Sequence, residues 1–202
     1  MNQEKQNYHH GDLRNALLEA ALKQIREHGV EKLSLRAVAR DAGVSQTAPY
    51  RHFKDKNQLL VALAVEGYEQ LRDETQQAAQ TVPAAADGMT SIGLAYIDFA
   101  RRNPERYKLM FGPIIHDRQN YPELQESGFN ALQVVINQAE KGIATGEFVD
   151  QQPFLLANSC WAKVHGIASL MIDGFYDCAP IPSIEAFFRT LLELHLRGLF
   201  KK

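Results

Sequence analysis

Residues 33–53 read LSLRAVARDAGVSQTAPYRHF, and their pattern is the most informative in the sequence. The spacing of its apolar residues predicts a short helix over residues 35–42, ending at Gly43, which tolerates the left-handed backbone that redirects a chain. We expect Ser45 to cap a second short helix over residues 46–53. Two short helices joined by a glycine-containing turn of three or four residues form a helix-turn-helix.

The second helix of such a motif places its N-terminal residues in the major groove of DNA. Gln46 and Thr47 carry groups that hydrogen-bond base edges, and the Ala48 methyl group is suited to contact a thymine methyl. Polar side chains around this helix are suited to phosphate contacts, which position a protein without reading sequence. The candidate DNA-binding residues are Ser34, Arg36, Ser45, Gln46, Thr47, Ala48, Tyr50, His52 and Lys56. The alternative interpretation is two short packed helices that bind no DNA.

Helical spacing of apolar residues also runs through the rest of the chain. The predicted helices span residues 13–28, 58–80, 89–102, 105–111, 123–140, 154–172 and 183–199. Residues 81–88, TVPAAADG, are the best candidate for a linker. No window alternates with the period of two that strands require, so the sequence predicts an all-α fold.

Charge and aromatic content divide the chain near residue 56. Residues 1–56 hold 10 basic and 7 acidic residues, whereas residues 57–202 hold 12 basic and 17 acidic residues and 15 of the 18 aromatic ones. A basic excess suits phosphate contact, and an aromatic-rich interior suits an apolar cavity. We therefore predict a DNA-binding domain over residues 8–56 and a ligand-binding and dimerisation domain over residues 57–202.

Composition places the protein among ordinary globular chains. Its 202 residues are 45% hydrophobic and 23% charged. The polar residues 1–12 predict no secretion signal, and residues 154–172 are too interrupted by polar groups for a bilayer span of about 20 apolar residues. Cys160 and Cys178 are too few for a disulfide scaffold and suit reduced thiols. We expect a cytoplasmic protein.

The N-terminal motif resembles the DNA-binding domain of the TetR family of transcriptional regulators. The resemblance covers about Tyr8 to Tyr68, and its matching residues are Leu33-Ser34-Leu35-Arg36, Ala39 with Ala42-Gly43-Val44-Ser45, Tyr50-Arg51-His52-Phe53, Lys54-Asp55-Lys56 and Leu59-Leu60. It implies a three-helix DNA-binding head, a long connecting helix and a helical ligand-binding and dimerisation domain. It also implies DNA contacts at Arg36, Gln46, Thr47, Ala48, Tyr50, His52 and Lys56.

Two further segments bear on this resemblance. Pro49 departs from the family pattern, which usually has leucine or another helix former at that position. A proline in the first turn of a helix constrains how the helix starts. Residues 161–168, WAKVHGIA, resemble a subgroup of the family's ligand domains with a Trp-x-x-x-His-Gly signature.

Aromatic and methionine residues in the C-terminal part predict a pocket for a small, largely apolar effector. The candidate pocket residues are Tyr96, Phe99, Tyr107, Met110, Phe111, Phe129, Trp161, His165 and Met171. The alternative is that these residues form an ordinary core without a cavity. Residues 154–172 and 183–199 are apolar on more faces than one core needs, which predicts a homodimer through the last two helices.

No motif in the sequence predicts catalysis, a metal or a cofactor. The adjacent His9 and His10 lack further ligands nearby, and a solvated N-terminal arm explains them better than a metal site. No phosphate-binding glycine loop, nucleophile elbow or zinc signature is present. The leading hypothesis is a DNA-binding regulator, a repressor that a small-molecule effector releases from double-stranded operator DNA. The alternative is a helical small-molecule-binding protein or enzyme with an incidental helix-turn-helix.

Overall fold

The computed structural model of the chain describes residues 10–177, 180–181 and 183–200, and side chains from residue 13 onward. His9 and Cys178 lie outside the described residues, as does the side chain of His10. Within the described part the secondary structure is helical apart from one isolated bridge between Phe148 and Phe200. The helices are α1 His10–His28, α2 Leu35–Asp41, α3 Lys56–Gln80, α4 Ala85–Arg102, α5 Pro104–Phe111, α6 Pro122–Ala144, α7 Pro153–Ile172 and α8 Ile184–Leu196. The all-α prediction is confirmed.

The third helix of the head is shorter than predicted. Residues 46–53 form turns around a single 3₁₀ turn, Pro49–Arg51, instead of an α-helix. Pro49 has no N–H to donate to the carbonyl of Ser45, and that carbonyl accepts instead from Ala48 N at 2.9 Å. Ser45 does not cap the segment with its side chain, because its hydroxyl lies 3.2 Å from the hydroxyl of Thr47. The prediction of a helix over residues 46–53 is therefore wrong.

The predicted linker over residues 81–88 is also wrong, because α4 begins within it at Ala85. A side chain that is distant in sequence holds the start of α4. Glu147 accepts hydrogen bonds from the backbone N–H groups of Ala85 and Ala86 at 3.1 and 3.0 Å. Two backbone donors of the first turn are thereby satisfied by a side chain about 60 residues further along the chain. Only a short turn separates α3 from α4.

The helices after Asp55 form a body around α3. The α3 helix packs against α4, α5 and α6, and α7 packs against α4 and α6. One continuous apolar core runs from Leu17 in the head through Leu63 to Phe188 on α8. A smaller cluster around the buried Phe148 closes the other end of the body. No described helix has the length and apolar character needed to cross a membrane.

Candidate DNA-binding surface and effector cavity

The head is built on local signals that surround α2. The Ser34 hydroxyl accepts a hydrogen bond from Ala37 N at 3.2 Å and caps the helix. After α2, Gly43 has a φ of 69°, a left-handed conformation that glycine adopts without strain. Val44 N then donates to the carbonyl of Ala39 at 2.9 Å, which closes the turn against the helix. The chain is thus redirected at Gly43 as the sequence predicts.

The segment after this turn presents polar side chains to solvent. Gln46 and Thr47 are exposed, and Tyr50 is 52% exposed although it is a large aromatic residue. The buried Pro49 anchors the segment to the head. Arg36 is exposed at the start of α2, and Ala48 and His52 are half-buried. The predicted DNA-binding residues from Arg36 to Lys56 are therefore exposed or half-buried, whereas the exposed Ser34 uses its hydroxyl to cap α2.

Lys56 is the first residue of the long helix α3, which Asp55 caps through a 2.8 Å hydrogen bond from Gln58 N. Its ammonium group donates to the carbonyl of Glu31 at 3.2 Å. This contact ties α3 to the turn between α1 and α2. Lys56 is only half-buried, so its ammonium group stays near the surface.

A cavity of about 290 Å³ lies within the body, between α3, α4, α6 and α7. Its walls are largely apolar, as in most small-molecule sites. They are formed by Tyr68, Leu71 and Thr75 of α3; Met89, Ile92, Gly93 and Tyr96 of α4; Phe111 of α5; Gly128, Phe129, Ala131, Leu132 and Val135 of α6; and Cys160, Trp161 and Val164 of α7. Phe129 is 53% exposed, which places it at the mouth.

Four of the nine predicted pocket residues lie in this wall: Tyr96, Phe111, Phe129 and Trp161. The other five do not. Phe99 and Met110 are completely buried in the main core, and Tyr107 is nearly so. His165 and Met171 are half-buried on α7, and both stand outside the wall.

Tyr107 and His165 support the wall from behind. The Tyr107 hydroxyl lies 2.6 Å from His165 Nδ1, and the Tyr96 hydroxyl lies 3.1 Å from both. Burial lowers the pKa of His165, so the ring is neutral near pH 7. We assign the tautomer with the proton on Nε2, in which Nδ1 accepts from the Tyr107 hydroxyl. This cluster holds the Tyr96 ring in place against the cavity.

The first turn of α3 is joined to the segment between α5 and α6, a contact that we call the joint and that the sequence does not predict. Asn57 on α3 donates to the Tyr121 hydroxyl at 2.8 Å and to the His116 carbonyl at 3.3 Å, both in the segment between α5 and α6. A second contact joins Arg14 on α1 to Glu66 on α3 at 3.1 Å. No local pattern marks Asn57 and Tyr121 as partners, since 64 residues separate them.

Two protein-family models match this chain. The model described as "Tetracyclin repressor-like, C-terminal domain" covers residues 89–195, and "Bacterial regulatory proteins, tetR family" covers residues 17–63. The first alone spans more than half of the sequence. The chain belongs to the TetR family. Its helix-turn-helix lies inside the N-terminal match, and nearly the whole cavity wall lies in the helices that the C-terminal match and α3 supply.

Relatives of this TetR family chain include the HTH-type transcriptional regulators Mb1846 of Mycobacterium bovis and Rv1816 of Mycobacterium tuberculosis. Each is 32% identical over 136 residues, which cover 65% of this chain and 57% of the relative. A solved structure of a Rhodococcus sp. RHA1 protein with unknown function superposes with a TM-score of 0.85 at 32% identity, covering 98% of this chain and 100% of that one.

A TetR/AcrR family transcriptional regulator from Thermobifida fusca has the same fold. It superposes with a TM-score of 0.71 at 20% identity, over 94% of this chain and 100% of its own.

The last two helices of this chain expose apolar side chains. On α7, Leu155, Ala162, Gly166 and Leu170 fall within one side of the helix at 100° per residue, and the three with side chains beyond Cα are exposed. On α8, Leu194 is 56% exposed. These faces have no partner among the described residues of the chain.

Proposed function

We propose that this chain is a DNA-binding transcriptional regulator, a repressor that leaves its operator when a small, largely apolar effector enters the cavity. The observation that carries the proposal is the course of α3. Its first residues, Lys56 and Asn57, contact the head and the α5–α6 segment. Tyr68 and Thr75, roughly 18–29 Å further along the same helix, wall the cavity. A shift of α3 at the cavity therefore reaches the head.

The DNA-binding part of the proposal rests on the exposed segment after Gly43. Gln46 and Thr47 are free to reach base edges in a major groove, and Tyr50 and Lys56 flank them as phosphate contacts. The head over residues 8–56 is our proposed DNA-binding domain, and residues 57–202 are the proposed ligand-binding and dimerisation domain. Since a regulator acts where its DNA lies, we also propose a cytoplasmic location.

Besides α3 itself, a second route from the cavity to the first turn of α3 runs through α5. The Tyr68 hydroxyl donates to the Met110 carbonyl at 2.6 Å, and Arg118 donates to the Leu109 and Met110 carbonyls. Arg118 lies in the segment that also carries Tyr121, which accepts from Asn57. Movement of the cavity wall at Tyr68 is thus transmitted to the first turn of α3 by hydrogen bonds.

The dimer part of the proposal rests on the apolar faces of α7 and α8. Two such helices from each protomer form a four-helix interface that buries Leu155, Leu170 and Leu194. A two-fold axis through this interface presents two heads to successive major grooves, about 34–36 Å apart, on a palindromic operator.

DNA binding is tested by fluorescence anisotropy with the DNA upstream of the protein's own gene, over a series of salt concentrations. We expect Lys56→Ala to weaken binding about equally on all sequences and to reduce the slope of log K against log salt by about one. A Thr47→Ala variant should instead alter sequence preference, by about 1–3 kcal/mol where a base contact is lost. Lys108→Ala, which removes the same charge from the exposed surface of α5, is the matched control. The DNA-binding proposal fails if the wild-type chain binds upstream and unrelated DNA equally and Lys56→Ala behaves like the control.

A further inference from the structure

The walls of the cavity carry no charged side chain. All of its lining residues belong to the described part of the chain, and Asp, Glu, Lys, Arg and His are missing from among them. The groups that could become negative stay neutral, because burial raises the pKa of Tyr68 to about 12 and that of Cys160 to about 11. Burial also keeps the pKa of Tyr96 well above its ordinary value. The lining residues therefore offer a ligand no counter-ion of either sign, and the Arg118 guanidinium next to Tyr68 lies outside the wall, where it donates to the Leu109 and Met110 carbonyls.

The hydroxyl groups of the wall are already hydrogen-bonded within the protein. Tyr68 donates to the Met110 carbonyl, and Thr75 donates to the Leu71 carbonyl at 2.7 Å. The Tyr96 hydroxyl is engaged with Tyr107 and His165. What these groups leave for a ligand are oxygen lone pairs, which accept hydrogen bonds.

A buried anion needs several donors or a cation, and a buried ammonium group needs a carboxylate. The cavity supplies neither. Besides the hydroxyl groups, its wall holds one side-chain N–H, on the indole of Trp161, and this is a single neutral donor. A charged ligand would lose its hydration without compensation.

We propose that the effector is an electrically neutral molecule, mostly hydrocarbon, whose polar group is a hydrogen-bond donor such as a hydroxyl, and that the cavity rejects the carboxylate and ammonium forms of the same skeleton. This inference rests on the proposed role of the cavity as the effector site. It adds the chemical class of the ligand to that role.

The test compares 1-decanol, decanoate and decylammonium, which share one alkyl chain, each below its aggregation concentration. Trp161 is the single tryptophan of the chain and lines the cavity, so its fluorescence reports binding in the full-length protein. We expect 1-decanol to bind at least about tenfold more tightly than either charged probe near pH 8. The apparent affinity for the acid should then rise about tenfold per pH unit as the pH is lowered, because only its protonated form enters.

Two variants locate the site and reverse its preference. Val135→Phe fills the cavity and should weaken 1-decanol binding at least about tenfold. Leu132→Arg adds a cation at a half-buried position of the wall and should favour decanoate over 1-decanol. Circular dichroism of both variants checks that the helices are retained.

The outcomes separate this inference from the proposed function. If decanoate binds as tightly as 1-decanol, without pH dependence, and Val135→Phe abolishes both, the cavity is a ligand site and the inference about neutral ligands is wrong. If Trp161 responds to none of the three probes, the effector role of the cavity is refuted together with the inference. DNA binding, measured separately, is affected by neither result.

Discussion

Replacing Gly166 with glutamate should slightly stabilise the single protomer and strongly destabilise the dimer. Gly166 lies in the middle of the exposed face of α7, in line with Ala162 and Leu170. A Cβ atom added there meets no atom of the chain within 4 Å. Among the described residues a Cβ at this position is therefore accommodated, and we expect the glutamate chain to extend into solvent in a single protomer, whereas a partner helix against this face would meet a new charge.

The two magnitudes follow from these surroundings. Within one protomer, glycine in a helix interior costs about 0.5–1 kcal/mol relative to a better helix former, so Gly166→Glu should stabilise α7 slightly. In the dimer, an unpaired charge buried in an apolar interface costs about 3–5 kcal/mol. That corresponds to a dimer Kd raised by roughly two to four orders of magnitude.

Sedimentation equilibrium at micromolar concentration measures the dimer Kd, and circular dichroism measures helix content. We expect the wild type to be a dimer and Gly166→Glu to be a helical monomer that binds a half-site weakly. Gln77→Glu, which adds the same charge to an exposed position on α3, should remain a dimer. A Gly166→Glu chain that dimerises with the wild-type Kd would refute the assignment of this face to the interface.

Two further predictions concern stability at the far end of the body. Glu147→Gln should lower the free energy of unfolding by about 0.5–1 kcal/mol, a value discounted for the solvent around this carboxylate. Hydrogen bonds from Ala86 N and Ala85 N lower the pKa of Glu147, so its stabilising effect is present above its unfolded pKa and is lost as the pH falls through the folded pKa. Urea unfolding of both chains at neutral and acidic pH should show their difference vanish in acid, and a constant difference would contradict this reasoning. Gly142→Ala should cost about 1–3 kcal/mol in the same assay, because its Cβ would lie 2.1 Å from the buried Phe148 ring, whereas Gly166→Ala should not destabilise.

Features that depend on neighbouring residues could be predicted from the sequence. The Ser34 cap and the Gly43 turn use atoms a few residues apart, and both are present in the structure. The prediction of a helix after Ser45 is wrong for an equally local reason. The sequence shows Pro49, but the missing hydrogen bond outweighs the helical pattern of its neighbours.

Features that depend on distant residues could not be predicted. The alanine and glycine content of residues 81–88 suggests a linker, and only the fold brings Glu147 to the backbone of Ala85. The joint between Asn57 and Tyr121 likewise depends on residues that are distant in sequence. The resemblance of residues 161–168 to the Trp-x-x-x-His-Gly subgroup stays a prediction.

The residues that line the cavity could be predicted only in part, for a different reason. Phe99 and Phe129 are the same residue type and both were expected in the pocket, yet Phe99 is completely buried in the core and Phe129 stands at the mouth. Helical spacing identifies which residues face inward, but a cavity is the space that inward-facing side chains fail to fill. Its position is set by the packing of several helices together, which no single segment encodes.

The continuity of α3 limits how heads and bodies can be exchanged between related regulators. A cut near residue 56 would separate Lys56 from Glu31, and it would place Arg14 and Glu66 in segments of different origin. A chimera that imports a foreign head must therefore bring a compatible partner for Glu66 and leave the Asn57–Tyr121 joint intact. Recombination within this lineage should favour crossovers after Glu66, which keep Lys56 with Glu31 and Arg14 with Glu66 in one segment. Asn57 then arrives with the head, so the body must retain Tyr121 as its partner.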